Sequence, residues 1–586
     1  MGCCSSKKIC VNETKKNFND IKDENLFKKI EPERLKIECK INLIYFAKSK
    51  CIYSIFGEKF VKNNQDNIEL VIEGKQNILV DKYELKEGDN NIMMIIKNKI
   101  SDISYMFCGC RTLKDISELK YLDVSELKNF VAVFYGCASL THLKGLENWN
   151  VSNVNNFASM FFGCESLSDL KGLENWNVSN ANSFLNTFLL CKGLSDITAL
   201  INWEVSKCNN FESMFHGCES LSDLKGLENW NVSNVNNFRE MFMNCKSLSD
   251  ITSLGNWNVS EGNNFSKMFI YCCSLKNIKP LENWNVSKGI NFEGFFMGCK
   301  SLLDIKGLEK WNVSNAKNFY YMFVGCESLS DIKSLENWNV SNVNNFASMF
   351  FGCESLSNIK ALKNWNVSSG NNFSNMFSGC ELTDLKPLEN WNVSNGNNFS
   401  GMFSGYKALS DIKALENWNV SNGKNFSGMF SLCTLLSDIK ILEKWDVSNG
   451  EYFSCMFSHC HSLSDIKPLR NWNVSKANSF EGMFSEMSEL NDINPLENWN
   501  VSNCTNFKEM FYKCDSLSNL KPLENWNVSN GNDFERMFSG LSSLIDIKPL
   551  GNWSISSGSH KGCSLLKDLS PLEKWKLSKY ELSEIK

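Results

Sequence analysis

Apolar and aromatic positions recur along most of this chain with a step of 27 residues. Trp149, Trp176, Trp203 and Trp230 open a series that runs to Trp553, with one step of 26 between Trp365 and Trp391, and Trp575 follows after 22. Phe107, Phe134, Phe161 and Phe188 open a second series of the same period, which ends at Phe538. A fixed period in this range means an array in which each unit buries its apolar face against its neighbours.

Residues 147–173 show one unit. Val154, Phe157, Phe161 and Cys164 follow the i, i+3, i+7, i+10 spacing of a helical stripe, widened by Met160. Ser152 or Asn153 is placed to cap a short helix, and Gly163 to end it in a left-handed turn. The remainder reads as extended, with Trp149 and Val151 on one side and Leu167, Leu170 and Leu173 as a second apolar edge. The expected fold is therefore an α/β repeat solenoid of about 17 coils over residues 99–580, each with one short helix and strand. Strands pair more closely than helices pack, so a parallel sheet should line its concave face.

Before the array the period changes. Ile37, Cys39, Ile41, Leu43 and Tyr45 alternate as in a half-buried strand. Further strands are expected over 51–56, 68–72, 77–83 and 91–96, with a turn at Asp89-Asn90-Asn91. Residues 36–98 thus predict a small β-rich module. Residues 1–35 read as an acylated, flexible basic tail, with 7–35 as its spacer, and 581–586 as a short C-terminal tail.

Charge excludes one function class. Residues 1–100 carry 19 Lys+Arg against 15 Asp+Glu, while the rest carries 42 against 51. The array has no basic face for nucleic acid. No apolar run is long enough to span a bilayer, and the start lacks a secretory signal's apolar region. Met1-Gly2-Cys3-Cys4-Ser5-Ser6 instead fits N-myristoylation at Gly2, with Cys3 and Cys4 available for palmitoylation. Lys7, Lys8, Lys15 and Lys16 add attraction to an anionic leaflet. A lipid anchor on the cytoplasmic face of a membrane is the expected location.

Cysteine occupies one register from Cys110 to Cys514, but that register also takes Tyr406, Met487 and Leu541. A ligand position cannot become leucine, so the thiols are expected to pack as small apolar groups. Cys455, His459, Cys460 and His461 form one Cys/His cluster; Cys460 lies on the core register, so four converging zinc ligands are not expected. Asn-Val-Ser occurs thirteen times from Asn150 to Asn527 and reads as stacked, structural asparagine. Asp169, Asp196, Asp223 and Asp250 begin a solvated column with lysine often two residues on. No phosphate loop, nucleophile–base pair or dinucleotide fingerprint is present, so neither enzyme activity, a cofactor nor a small-molecule substrate is expected.

One register suggests binding. It reads Phe162, Leu189, His216, Met243, Ile270, Met297, Val324 and Phe351, then Ser378, Ser404, Ser431, Ser458 and Ser485. Helix geometry sets it about 100° from the core-facing phenylalanine. An apolar strip that turns to serine is a candidate surface for a protein partner.

The unit N-W-N-V-S-N-V-N-N-F-x-S-M-F-x-G-C-x-S-L-S-D-[IL], over about residues 101–580, resembles the BspA-type leucine-rich repeat of mycoplasma, anaerobic-bacterial and protist surface proteins. The resemblance implies a leucine-rich-repeat-like solenoid that binds other molecules without catalysis. The expected function is a lipid-anchored protein-binding scaffold; the alternative is a BspA-like cell-surface or secreted adhesin.

Overall fold

The computed structural model describes residues 39–553, residue 545 excepted. The lipidation candidates Gly2, Cys3 and Cys4, the spacer, Trp575 and the tail lie outside the described residues.

The chain enters through β1 (Cys39–Ala47), β2 (Cys51–Ser54), helix α1 (Glu58–Asn64), β3 (Ile68–Ile72), β4 (Lys75–Ile78), β5 (Lys82–Leu85) and β6 (Gly88–Ile96). The period-2 pattern buries Ile41, Leu43, Tyr45 and Ala47 on one face of β1. The sheet order is β4-β3-β6-β1-β7, with β2 and β5 paired separately. Strand β7 (Leu113–Asp115) comes from the first coil of the array. Module and coils thus share a sheet and belong to one compact unit. The expected strand over 77–83 is divided between β4 and β5. The expected turn at Asp89-Asn90-Asn91 lies inside β6. Asn90 instead closes the β5–β6 connection, its Oδ1 accepting from the Lys86 amide at 2.9 Å and its Nδ2 donating to the Lys86 carbonyl at 2.8 Å.

The coils depart from expectation at their centre: residues 154–164 form no helix. Alternate amides point to the next coil, from Ser159 to Leu185 (2.8 Å), Phe161 to Thr187 (2.9 Å) and Gly163 to Leu189 (2.7 Å). The amides between them close local turns, Met160 to Phe157 and Cys164 to Phe161, both at 3.1 Å. Ser159 and Gly163 take left-handed φ of 56° and 67°. A run of i→i−3 turns gives the same i, i+3 apolar spacing as a helix. It also leaves half the amides free to join coils, whereas a short helix would consume them internally and gain little. Nor do Trp149 and Val151 form a strand. Ser152 donates its amide to Asn150 Oδ1 at 3.2 Å rather than capping a helix, and Asn153 Nδ2 reaches the preceding coil's Ser125 carbonyl at 2.7 Å. The coil-to-coil ladder sits instead at the residue before the first phenylalanine, an unbroken series of parallel bridges from Asn129 to Asp533. Single 3₁₀ turns such as Lys333–Leu335 are the short helical pieces of the coils. With no α-helix in the described coils, the expected reason for a concave sheet disappears.

Three side-chain columns hold the coils together. The indoles from Trp149 to Trp338 stack with centroids 6.3–6.5 Å apart and planes within 10°. Each of the sixteen described indoles donates from Nε1 to a leucine carbonyl in the preceding coil at 2.9–3.4 Å. The buried nitrogen is thereby satisfied without interrupting the stack. Phe134, Phe161 and Phe188 stack at 5.4–5.6 Å. Phe56 continues this column into the module, 5.6 Å from Phe107. Thirteen cysteine thiols, Cys137 to Cys514, approach the phenylalanine carbonyl of the preceding coil at 3.0–3.4 Å.

Candidate partner-binding face

The turn-and-ladder segment that replaces the expected helix positions the candidate strip. Phe157, Met160 and Phe161 enter the core, while residue 162 follows a local turn and leans outward. Phe162, Leu189, Met243, Met297 and Val324 are half-buried, and Phe351 is 42% exposed. Ile270 departs from them at 4%, since Gly294 in the next coil leaves room for its side chain to lie down. In the second half of the register Ser378, Ser458 and Ser485 are buried and Ser404 and Ser431 half-buried. The methionine and phenylalanine columns beneath do not change: Met402, Phe403, Met429 and Phe430 are as buried as Met160 and Phe161.

Sequence reasoning missed Tyr135, which precedes Phe162 in the strip register itself, and further aromatic residues beside the strip. Tyr135 stacks on Phe162 at 4.3 Å. Tyr320 and Tyr321 stack on each other at 3.6 Å. Tyr271, 40% exposed, lies across Gly298 of the next coil. Of these only Tyr271 carried a signal in the sequence, since its register holds glycine one coil later, at Gly298.

The charged groups nearby are paired. Arg239 bridges Glu212 at 2.9 Å and Glu240 at 2.6 Å, and Lys267 meets Glu293 at 3.3 Å. Glu240 is held down at about 2, chiefly by His216 at 3.6 Å; burial opposes this, while Arg239 and the Ser213 hydroxyl add to it. A carboxylate so depressed cannot take up a proton near neutral pH and is no general acid.

The thiol column carries no nucleophile. Burial pushes Cys191, Cys380 and Cys514 up to about 12, so the thiolate is withheld. Cys460 lies in the core, 3.2 Å from the Phe430 carbonyl. His459 pairs with Glu486 at 3.3 Å. Among the described residues no three His, Cys, Asp or Glu side chains converge as metal ligands.

Six overlapping stretches, residues 82–197, 183–304, 272–384, 303–414, 371–495 and 464–563, match the family described as "Mycoplasma protein of unknown function, DUF285". No curated protein sequence matches the chain. Among solved structures, a leucine-rich cell surface protein from Faecalibacterium prausnitzii A2-165 aligns over 78% of this chain and 86% of its own, at 14% identity and a TM-score of 0.23. A likeness at that score fixes neither fold nor function for the present chain.

Proposed function

This chain belongs to the DUF285 family, and from that membership we propose that it is a non-catalytic binding protein, a BspA-type leucine-rich-repeat-like solenoid that presents the strip Phe162–Phe351 to a protein partner. One observation carries the reading. The strip register changes from apolar to serine after Phe351 while the methionine and phenylalanine columns below it stay the same. Were the register needed only to cover the methionine and phenylalanine columns, their constancy would demand the same cover throughout. The coils from Phe162 to Phe351, all but that of Ile270, therefore keep large side chains half in water for another purpose.

A photo-crosslinking residue at position 297 tests this in the cell of origin. Position 297 is expected to give discrete protein adducts, and position 404, in the same register of the serine half, none. Equal labelling at both, or none at either, overturns the reading.

Two locations follow from two features. Met1–Ser6 supports a lipid anchor at the cytoplasmic face of a membrane, aided by acyl chains and nearby lysines. Gly2→Ala is then expected to move the protein from the membrane to the soluble fraction, and unchanged partitioning counts against the anchor. The exposed Asn-Val-Ser asparagines, such as Asn150 and Asn177, support the surface adhesin, where glycans on them would be the signature.

A further inference from the structure

We propose that the partner of the apolar strip is a second copy of this chain, packed face to face over the coils from Phe162 to Phe351. The inference rests on the binding reading above and gives that surface its occupant.

Spacing is the first argument. Coils joined by amide–carbonyl ladders of 2.6–3.5 Å repeat at about 4.8 Å. The strip is thus a line of seven outward side chains at that interval over eight coils, with Ile270 lying down between Met243 and Met297. An α-helix offers neighbouring knobs about 5.4 Å apart along its axis, and drifts out of register by nearly one whole coil over eight. An extended strand offers same-face side chains at about 6.7 Å and fails sooner. Another ladder has the matching period, the condition under which two stacked sheets interdigitate along their length.

Symmetry and area agree with this. A two-fold axis between the Met243 and Ile270 coils sets Phe162 of one copy against Phe351 of the other, Leu189 against Val324 and His216 against Met297, and seats each Met243 in the gap left where the partner's isoleucine lies down, as an isologous contact allows. Eight coils span about 38 Å. With a width of about 15 Å, the pair buries roughly 1,100 Å² in total, just above the area a specific interface needs. Glu212, Arg239, Glu240, Lys267 and Glu293 bring ion pairs already made within the chain, so covering them strands no charge among these five. From Ser378 to Ser485 the strip register offers no large side chain, and an isologous contact uses the same patch on both copies, so association closes at two.

Sedimentation equilibrium of the unacylated full chain between about 1 and 100 μM tests the proposal, the range a minimal interface calls for. The expected result is a reversible dimer of twice 66.8 kDa. The combined variant Met297→Ser, Val324→Ser, Phe351→Ser should weaken it at least about tenfold while keeping its melting transition, because serine already occupies this register from Ser378 to Ser485. A monomer throughout, a dimer of unchanged affinity in the variant, or open-ended oligomers each overturn the proposal. A monomeric chain that still crosslinks another protein from position 297 sinks self-association and leaves the binding reading standing.

Discussion

Replacing Trp284 by alanine should cost about 3–5 kcal/mol, the usual range for emptying a buried aromatic site. Its ring lies 6.4 Å from both Trp257 and Trp311, and its Nε1 donates to the Leu254 carbonyl at 2.9 Å. The substitution opens a cavity, interrupts the stack and leaves that carbonyl with only the Trp257 amide, at 3.1 Å. Coils contact only their neighbours, so the damage is confined but divides the array. Urea unfolding followed by circular dichroism should change from one transition to two, as the coils on either side lose their coupling. Trp284→Phe separates the contributions: it keeps most of the buried ring and removes the N–H, and should cost about 1–3 kcal/mol. A loss below about 1 kcal/mol for the alanine variant would mean that the indole row is no continuous core.

That row was legible from spacing alone, because periodic burial needs periodic residues and tryptophan is unmistakable. The backbone beneath Phe157, Phe161 and Cys164 was not. Helix and turn-ladder share the i, i+3 recurrence and differ in where the alternate amides go, which depends on the coil 27 residues away. Ser159 makes the point: its left-handed φ is imposed by the stack on a residue type that does not announce it. Asparagine was half legible. Stacking was expected of Asn150, which satisfies its own turn, while the link between coils is made by Asn153. In the strip, the apolar-to-serine change could be read directly. The withdrawal of Ile270 could not, since it depends on the glycine at 294 rather than on the isoleucine. Helix α1 escaped because Glu58–Asn64 is seven residues long and carries two apolar positions, Phe60 and Val61.

The junction between module and array should be broken by a single methyl group at Gly57. This glycine has ordinary dihedrals, φ −73° and ψ 135°, so alanine there meets no conformational penalty. The difficulty is space: an added Cβ would stand 2.0 Å from the Tyr105 carbonyl oxygen. The Gly57 amide donates to the Met106 carbonyl at 2.9 Å, and beside it Phe56 and Phe107 carry the aromatic column across the joint. Backbone must separate from backbone to admit the methyl, and both contacts loosen. Overpacking of this kind costs about 1–3 kcal/mol. Here the module covers the first turn of a parallel ladder, and an uncovered ladder edge is open to pairing with other chains. Gly57→Ala should therefore lower the melting temperature and raise the rate of aggregation on heating. Gly74→Ala, at a turn with φ 74° and nothing within 4 Å of the added carbon, should show its smaller conformational cost without the aggregation. Hydrogen exchange would place the effect: amides of Tyr105, Phe107 and Gly109, which pair with the second coil, should lose protection in the Gly57 variant while those around Phe350 keep it. Equal protection at both places would mean that the module does not seal this end of the array.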